Sequence, residues 1–120
     1  MAIIALAQPH PALATLHESW RFRFYSLSGK DGEYAAAALA EHEDALELHL
    51  EVLRFGPATV RALRADVEDL KDMARKLGKT RIVGLRVEPG QEADPRWPKF
   101  TRLFGFTGQQ VLQAAELRLD

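Results

Sequence analysis

The chain contains no cysteine in its 120 residues. That absence removes disulfides, thiolate metal sites and a cysteine nucleophile together, and it leaves the redox compartment open. An excess of charge is missing as well: 16 basic residues stand against 17 acidic ones, for a net charge of -1. No global field draws the chain to nucleic acid or to an anionic membrane, and neither is expected as a partner. Long apolar runs are lacking too. The start, Met1-Ala2-Ile3-Ile4-Ala5-Leu6-Ala7, has no basic flank and runs straight into Gln8-Pro9-His10-Pro11. It is too short for a signal peptide or a membrane span, and reads as an edge strand of a cytoplasmic protein. No Walker loop, dinucleotide glycine fingerprint or nucleophile elbow occurs. The one metal-like run, Glu41-His42-Glu43-Asp44, falls in a tight turn whose side chains diverge, so no metal is expected.

What is present describes an ordinary globular domain. Hydrophobic residues make up 47% and charged residues 28%, which argues for a packed core. At this length the chain reads as one domain, burying roughly two-thirds of the surface its unfolded form would expose. Pro11 to Ser19 predicts a short helix with Leu13, Leu16 and Trp20 on one stripe. Trp20 to Leu27 alternates aromatic and basic residues, as a strand with its aromatics on the core face and its arginines outside does. Ser28 to Gly32 is a turn in which two glycines supply positive φ. A small-residue strand, Tyr34 to Ala40, and a polar turn, Glu41 to Asp44, lead to a third strand, Ala45 to Leu53. Three strands joined by two tight turns make an antiparallel meander.

After Gly56-Pro57 the period changes from two to three and four. Val60, Leu63, Val67, Leu70, Met73, Ala74 and Leu77 form one stripe of a helix over about 58–77. Gly78 is its left-handed cap, and Arg75, Lys76 and Lys79 sit near the carbonyl end, where cations suit the helix dipole. Ile82 to Val87 is apolar on both faces apart from Arg86, as a parallel strand covered on both sides is. Strand, helix and strand make one right-handed βαβ unit in a mixed sheet of an α/β fold. A loop over 89–95, a short helix over 96–104 and a closing strand over 111–119 complete the reading.

The order of meander, crossover helix, buried strand, short helix, Gly-Phe pair and final strand resembles the GNAT superfamily of acyl-CoA N-acyltransferases, over about Trp20 to Asp120. Two segments carry the likeness: Lys76-Leu77-Gly78-Lys79-Thr80-Arg81-Ile82, similar to the family's helix-to-strand junction, and Phe100-Thr101-Arg102-Leu103-Phe104-Gly105-Phe106, similar to its closing Gly-Phe turn. The resemblance implies acetyl-CoA or a related thioester as cofactor, a small amine as acceptor and direct acyl transfer without a metal. It leaves a homodimer open. It also implies a second reading, a GNAT fold without catalysis that serves as a binding module or a phage virion-associated protein. The absence of asparagine hints at a GC-rich bacterial or phage gene.

Site residues follow from the resemblance. The family's cofactor loop is rich in glycine because backbone amides must approach a pyrophosphate closely. Here Arg54-Phe55-Gly56-Pro57-Ala58-Thr59-Val60-Arg61 has one glycine, and Pro57 lacks an amide donor. Phosphates are therefore expected at the amides of Thr59 to Ala62, Val60 among them, helped by Arg54, Arg61 or Arg64. The position of the family's acidic tyrosine is Thr101. For the base that deprotonates the acceptor, the alternating strand offers Glu47, His49 and Glu51 on one face, with Glu51 nearest the carboxyl end where ligands bind in open sheets. The competing reading is that these form the solvated face of a sheet.

Overall fold

The computed structural model describes residues 2–14, 16, 19–85 and 97–106. They fall into two compact units, Met1–Val87 and Glu88–Asp120. The first holds a five-stranded sheet in sequential order: β1 (Ala2–Leu6), β2 (Arg23–Gly29), β3 (Gly32–His42), β4 (Ala45–Val52) and β5 (Arg81–Leu85). Neighbours from β1 to β4 run antiparallel, and β5 runs parallel to β4 from Ala45↔Arg81 to His49↔Leu85. The helix α1 (Pro57–Lys76) makes the crossover between them. This is the mixed sheet with a meander and one βαβ unit that the periodicities predict.

The β2–β3 connection is a two-residue turn, Lys30-Asp31, closed by the pair Gly29↔Gly32. Only Gly32 has positive φ, at 100°. Gly29 is small for a different reason: a Cβ there would lie 3.2 Å from the Cβ of Ala62 on α1. Just inside the turn the register slips, because Leu27 pairs with Ala35 while Ser28 pairs with Glu33. Tyr34 is thus the extra residue of a β-bulge, which breaks strict alternation along β3. Glu33 stays on the face of Ser26, to which it is hydrogen-bonded, and Tyr34 turns to the opposite face, where its hydroxyl donates to Asp66 of α1.

Those two faces are covered differently. One takes α1, whose buried residues Ala62, Leu63, Asp66, Val67, Leu70 and Ala74 recur at spacings of three and four. The other takes the segment between β1 and β2: Leu13 packs with Phe24, Ala36 and Ala38, joined by Leu6, Leu16 and Phe22. Between the two coverings lies β3, whose Ala35, Ala36, Ala37 and Ala38 are wholly inaccessible to solvent.

The β1–β2 segment departs from the predicted helix. It makes two 3-10 turns, Pro11–Leu13 and Ser19–Arg21. His10 Nδ1 accepts the Ala12 amide, and its Nε2 faces the Glu33 carboxylate at 3.2 Å, so tertiary bonds hold a turn that cannot propagate as an α-helix. In consequence β2 starts at Arg23, and Trp20, expected on the core side, stands 82% exposed. β5 differs too: Ile82 to Leu85 are half-buried rather than enclosed on both faces, and it is the last strand among the described residues. The loop at 89–95 and the closing strand at 111–119 lie outside the described residues, as does the end of the predicted second parallel strand at 86–87.

α1 ends as predicted at Gly78, with φ 76°. Gly78 N–H reaches Arg75 O at 3.0 Å and Lys79 N–H reaches Ala74 O at 2.9 Å, the paired bonds of a Schellman cap. In the second unit α2 (Trp97–Arg102) ends the same way. Gly105 has φ 88°, its N–H reaches Arg102 O at 3.1 Å, and Phe106 N–H reaches Thr101 O at 3.2 Å. The Gly-Phe pair is a left-handed cap in which the Phe106 amide supplies the second bond.

Candidate functional site

β4 reads Ala45-Leu46-Glu47-Leu48-His49-Leu50-Glu51-Val52, and strand geometry sends alternate side chains to opposite faces. Glu47, His49 and Glu51 lie opposite Ala40, Ala38 and Ala36 of β3, so they share the face covered by the β1–β2 segment. Their alanine neighbours are too short to crowd them. The helix α1 lies on the other side of the sheet, and its amino end follows directly from the carboxyl end of β4.

The three polar residues of that face have unlike surroundings. Glu47 accepts a 2.9 Å hydrogen bond from Arg21, and its other oxygen lies 3.8 Å from His49 Nε2. His49 is buried, at 9% exposure, with the Phe22 ring edge-on to it at 5.1 Å between centroids. The Arg21 guanidinium lies 5.2 Å from the centre of that same Phe22 ring. Arg21, Glu47, His49 and Phe22 thus form a closed circuit of an ion pair, a longer polar contact, a ring contact and a cation–π contact. Burial lowers the His49 pKa below the ordinary 6.5, with Arg21 acting in the same direction and Glu47 opposing. The imidazole is neutral at neutral pH. Glu51 is half-buried and has no hydrogen-bond or ion-pair partner among the described residues.

Around the start of α1 the expected phosphate ligands are partly engaged. Arg54 donates to the Asp31 carbonyl at 2.7 Å, tying the loop to the β2–β3 turn. Thr59 is buried and its hydroxyl donates to the Arg54 carbonyl at 2.7 Å. The Val60 amide makes the first i→i−4 bond, to Gly56 O at 3.2 Å. Since Pro57 has no N–H, the helical amides ahead of that bond are those of Ala58 and Thr59, so of the predicted Thr59 to Ala62 only Thr59 is among them. Arg61 and Arg64 are exposed on the first two turns, and no ion pair engages them among the described residues. Phe55, in the loop before α1, is 77% exposed.

The Glu41-His42-Glu43-Asp44 run is engaged from the α1–β5 junction. Lys79 bonds the Glu43 carbonyl and pairs with Glu41, while Thr80 and Arg81 both reach Asp44. Arg81 lowers the pKa of Asp44 below the ordinary carboxylate value. Sequence reasoning placed Glu47, His49 and Glu51 on one face but missed Arg21 and Phe22 above them. Their signal, the alternation Trp-Arg-Phe-Arg, reads as strand, and only the turn at Ser19–Arg21 folds it over β4.

No protein-family model matches the sequence, and no curated protein does. Solved structures do match in fold. A Pyrococcus furiosus protein described as an acetyl transferase superposes with a TM-score of 0.52 at 14% identity, covering 80% of this chain. The Bacillus subtilis protein YycN, described as an acetyltransferase, gives 0.50 at 16% identity over 84% of the chain. The chain spans 66% and 65% of the length of those two proteins, respectively. A mixed sheet with a parallel β4–β5 pair, α1 crossing between them and a matching superposition lead to one conclusion: the chain has the fold of the GNAT-like acetyltransferases.

Proposed function

We propose that this protein is a small N-acyltransferase, moving an acyl group from acetyl-CoA or a related thioester onto an amine. The observation that supports this most is Glu51, a half-buried carboxylate without a partner among the described residues, at the carboxyl end of β4 and next in line to the amino end of α1. Ligands of open sheets bind at that end. The residues present fit a coenzyme A phosphate group sparingly. Ala58 and Thr59 offer backbone amides, and Arg61 and Arg64 offer charge-assisted hydrogen bonds. Acetyl-CoA, when bound, supplies an acyl carbon whose bond to sulfur breaks as its bond to nitrogen forms, the thiolate taking a proton from water. Glu51 takes the proton that the acceptor ammonium must lose before its lone pair can attack. Buried His49 and the Arg21–Glu47 pair form the wall of the acceptor side.

Titration calorimetry with acetyl-CoA, followed by acetyl transfer to a panel of amines, tests the reading. Glu51→Gln keeps the shape and removes the basicity, so turnover is expected to fall by about 10²–10⁴ with thioester affinity nearly constant. Full activity in that variant acquits Glu51. Replacing both Arg61 and Arg64 by Ala is expected to weaken binding at least tenfold, at roughly 1.5–3 kcal/mol for each charged hydrogen bond lost. Unchanged affinity moves the phosphate site elsewhere. A second reading is a binding or virion-associated module without catalysis. It is favoured by the engagement of Arg54, Thr59 and the Val60 amide within the chain, and heat-silent acetyl-CoA titrations would support it.

A further inference from the structure

The polar face of β4 is asymmetric in charge. At one end Glu47 is neutralised by a guanidinium at 2.9 Å, and beside it the Phe22 ring packs edge-on to His49. At the other end Glu51 has no cation partner among the described residues. The two carboxylates are four residues apart on one strand, about 13 Å between Cα atoms, with a neutral imidazole between them. Without Arg21, such a row would be a two-anion track. An amine reacting at Glu51 could then rest a second, distant cation on Glu47. With Arg21 in place, that carboxylate is already paired, and a second cation finds the guanidinium where it would have to sit.

We propose that Arg21 is a specificity-determining residue that restricts the acceptor to monoamines whose far end is uncharged or anionic, and that it excludes diamines and polyamines. The inference rests on the acyltransferase reading, because it assumes that the acceptor lies along this face of β4. Arg21 acts by charge and by occupying the place of a substrate cation. It takes no part in the chemistry. Three further facts agree with a fixed guanidinium rather than a mobile surface arginine. It is carried on a 3-10 turn whose Phe22 amide closes onto the Ser19 carbonyl at 3.1 Å, it lies over the Phe22 ring, and its carboxylate partner is half-buried.

The test compares 4-aminobutyrate with spermidine as acceptors for the wild type, Arg21→Gln and Arg21→Lys, all with acetyl-CoA. In kcat/KM the wild type is expected to favour 4-aminobutyrate at least tenfold. Arg21→Gln should move that ratio at least tenfold toward spermidine, and Arg21→Lys, which restores the charge, should return it toward the wild-type order. A wild type that prefers spermidine, or a ratio untouched in Arg21→Gln, overturns the proposal. Binding of each amine is measured in parallel by calorimetry, and by the imidazole resonances of His49, neither of which needs turnover. Acetyl-CoA binding without transfer, or no acetyl-CoA binding at all, counts against the acyltransferase reading. In that event the specificity proposal still stands or falls on spermidine binding: at least tenfold tighter to Arg21→Gln than to the wild type supports it, and equal affinity or no binding to either overturns it.

Discussion

Asp66 is a carboxyl group wholly shut off from solvent, and one of its oxygens has no hydrogen-bond partner among the described residues. The other oxygen accepts the Tyr34 hydroxyl. Burial raises the pKa of Asp66 above the ordinary 3.8, the Tyr34 bond opposing, and burial likewise raises that of Tyr34. The folded state therefore binds the Asp66 proton more tightly than the unfolded chain does. Its contribution is fully present below pH 3.8 and is lost as pH rises through the higher folded value. Asp66→Asn cannot ionise, so its stability relative to the wild type should improve as pH rises through that window, read from urea midpoints. A constant difference at all pH values would mean that Asp66 ionises normally. Tyr34→Phe removes the one donor to Asp66 among the described residues and is expected to cost roughly 1–3 kcal/mol. His49 has the opposite sign. Its folded pKa lies below 6.5, so the unfolded state binds more protons and stability falls as pH drops through 6.5 toward the folded value. His49→Gln should flatten that part of the stability profile.

Both helices end in a glycine that no other residue replaces cheaply. Gly78 has φ 76° with nothing near its missing Cβ, so Gly78→Ala meets backbone strain alone, and a loss of roughly 1–2 kcal/mol is expected in chemical denaturation. A loss near zero would show that the cap can relax. This cap was legible in the chain because the apolar stripe stops at Leu77 and glycine follows. The meander and the parallel pair were legible for the same kind of reason, since periods of two and of three to four are dictated by backbone geometry. Two things were hidden. The bulge at Tyr34 depends on a one-residue slip that leaves no mark in composition, and it alone explains why Tyr34 meets α1 while Glu33 meets His10. The Pro11–Arg21 segment has helical spacing on paper, yet the bonds that hold it, His10 to Glu33 and Arg21 to Glu47, span 23 and 26 residues. Long-range partners of that kind cannot be read from a local pattern, and so Glu47 looked available when Arg21 already covers it.

At the scale of the molecule, ligand binding and folding are linked. A thioester that binds only the folded chain stabilises it by about 2.7 kcal/mol at a hundredfold excess over Kd, which raises Tm by roughly 10 °C for a domain of this size. Thermal scans with and without acetyl-CoA, repeated on the Arg61→Ala, Arg64→Ala double variant, should show a shift that the variant largely loses. No shift in the wild type would favour the non-catalytic reading. The same molecule has a thin middle: the centre of β3 presents only methyl groups, with Ala37 beside Leu50 and Ala38 beside His49. Adding volume there acts as a shim on one side of a partition. Ala37→Val would lift α1 and with it the candidate phosphate end, whereas Ala38→Val would lift the segment carrying Leu13 and Phe22 above His49. Two adjacent substitutions of equal size thus become separate adjusting screws, one for the proposed thioester half of the site and one for the proposed acceptor half, although each residue lies inside the sheet.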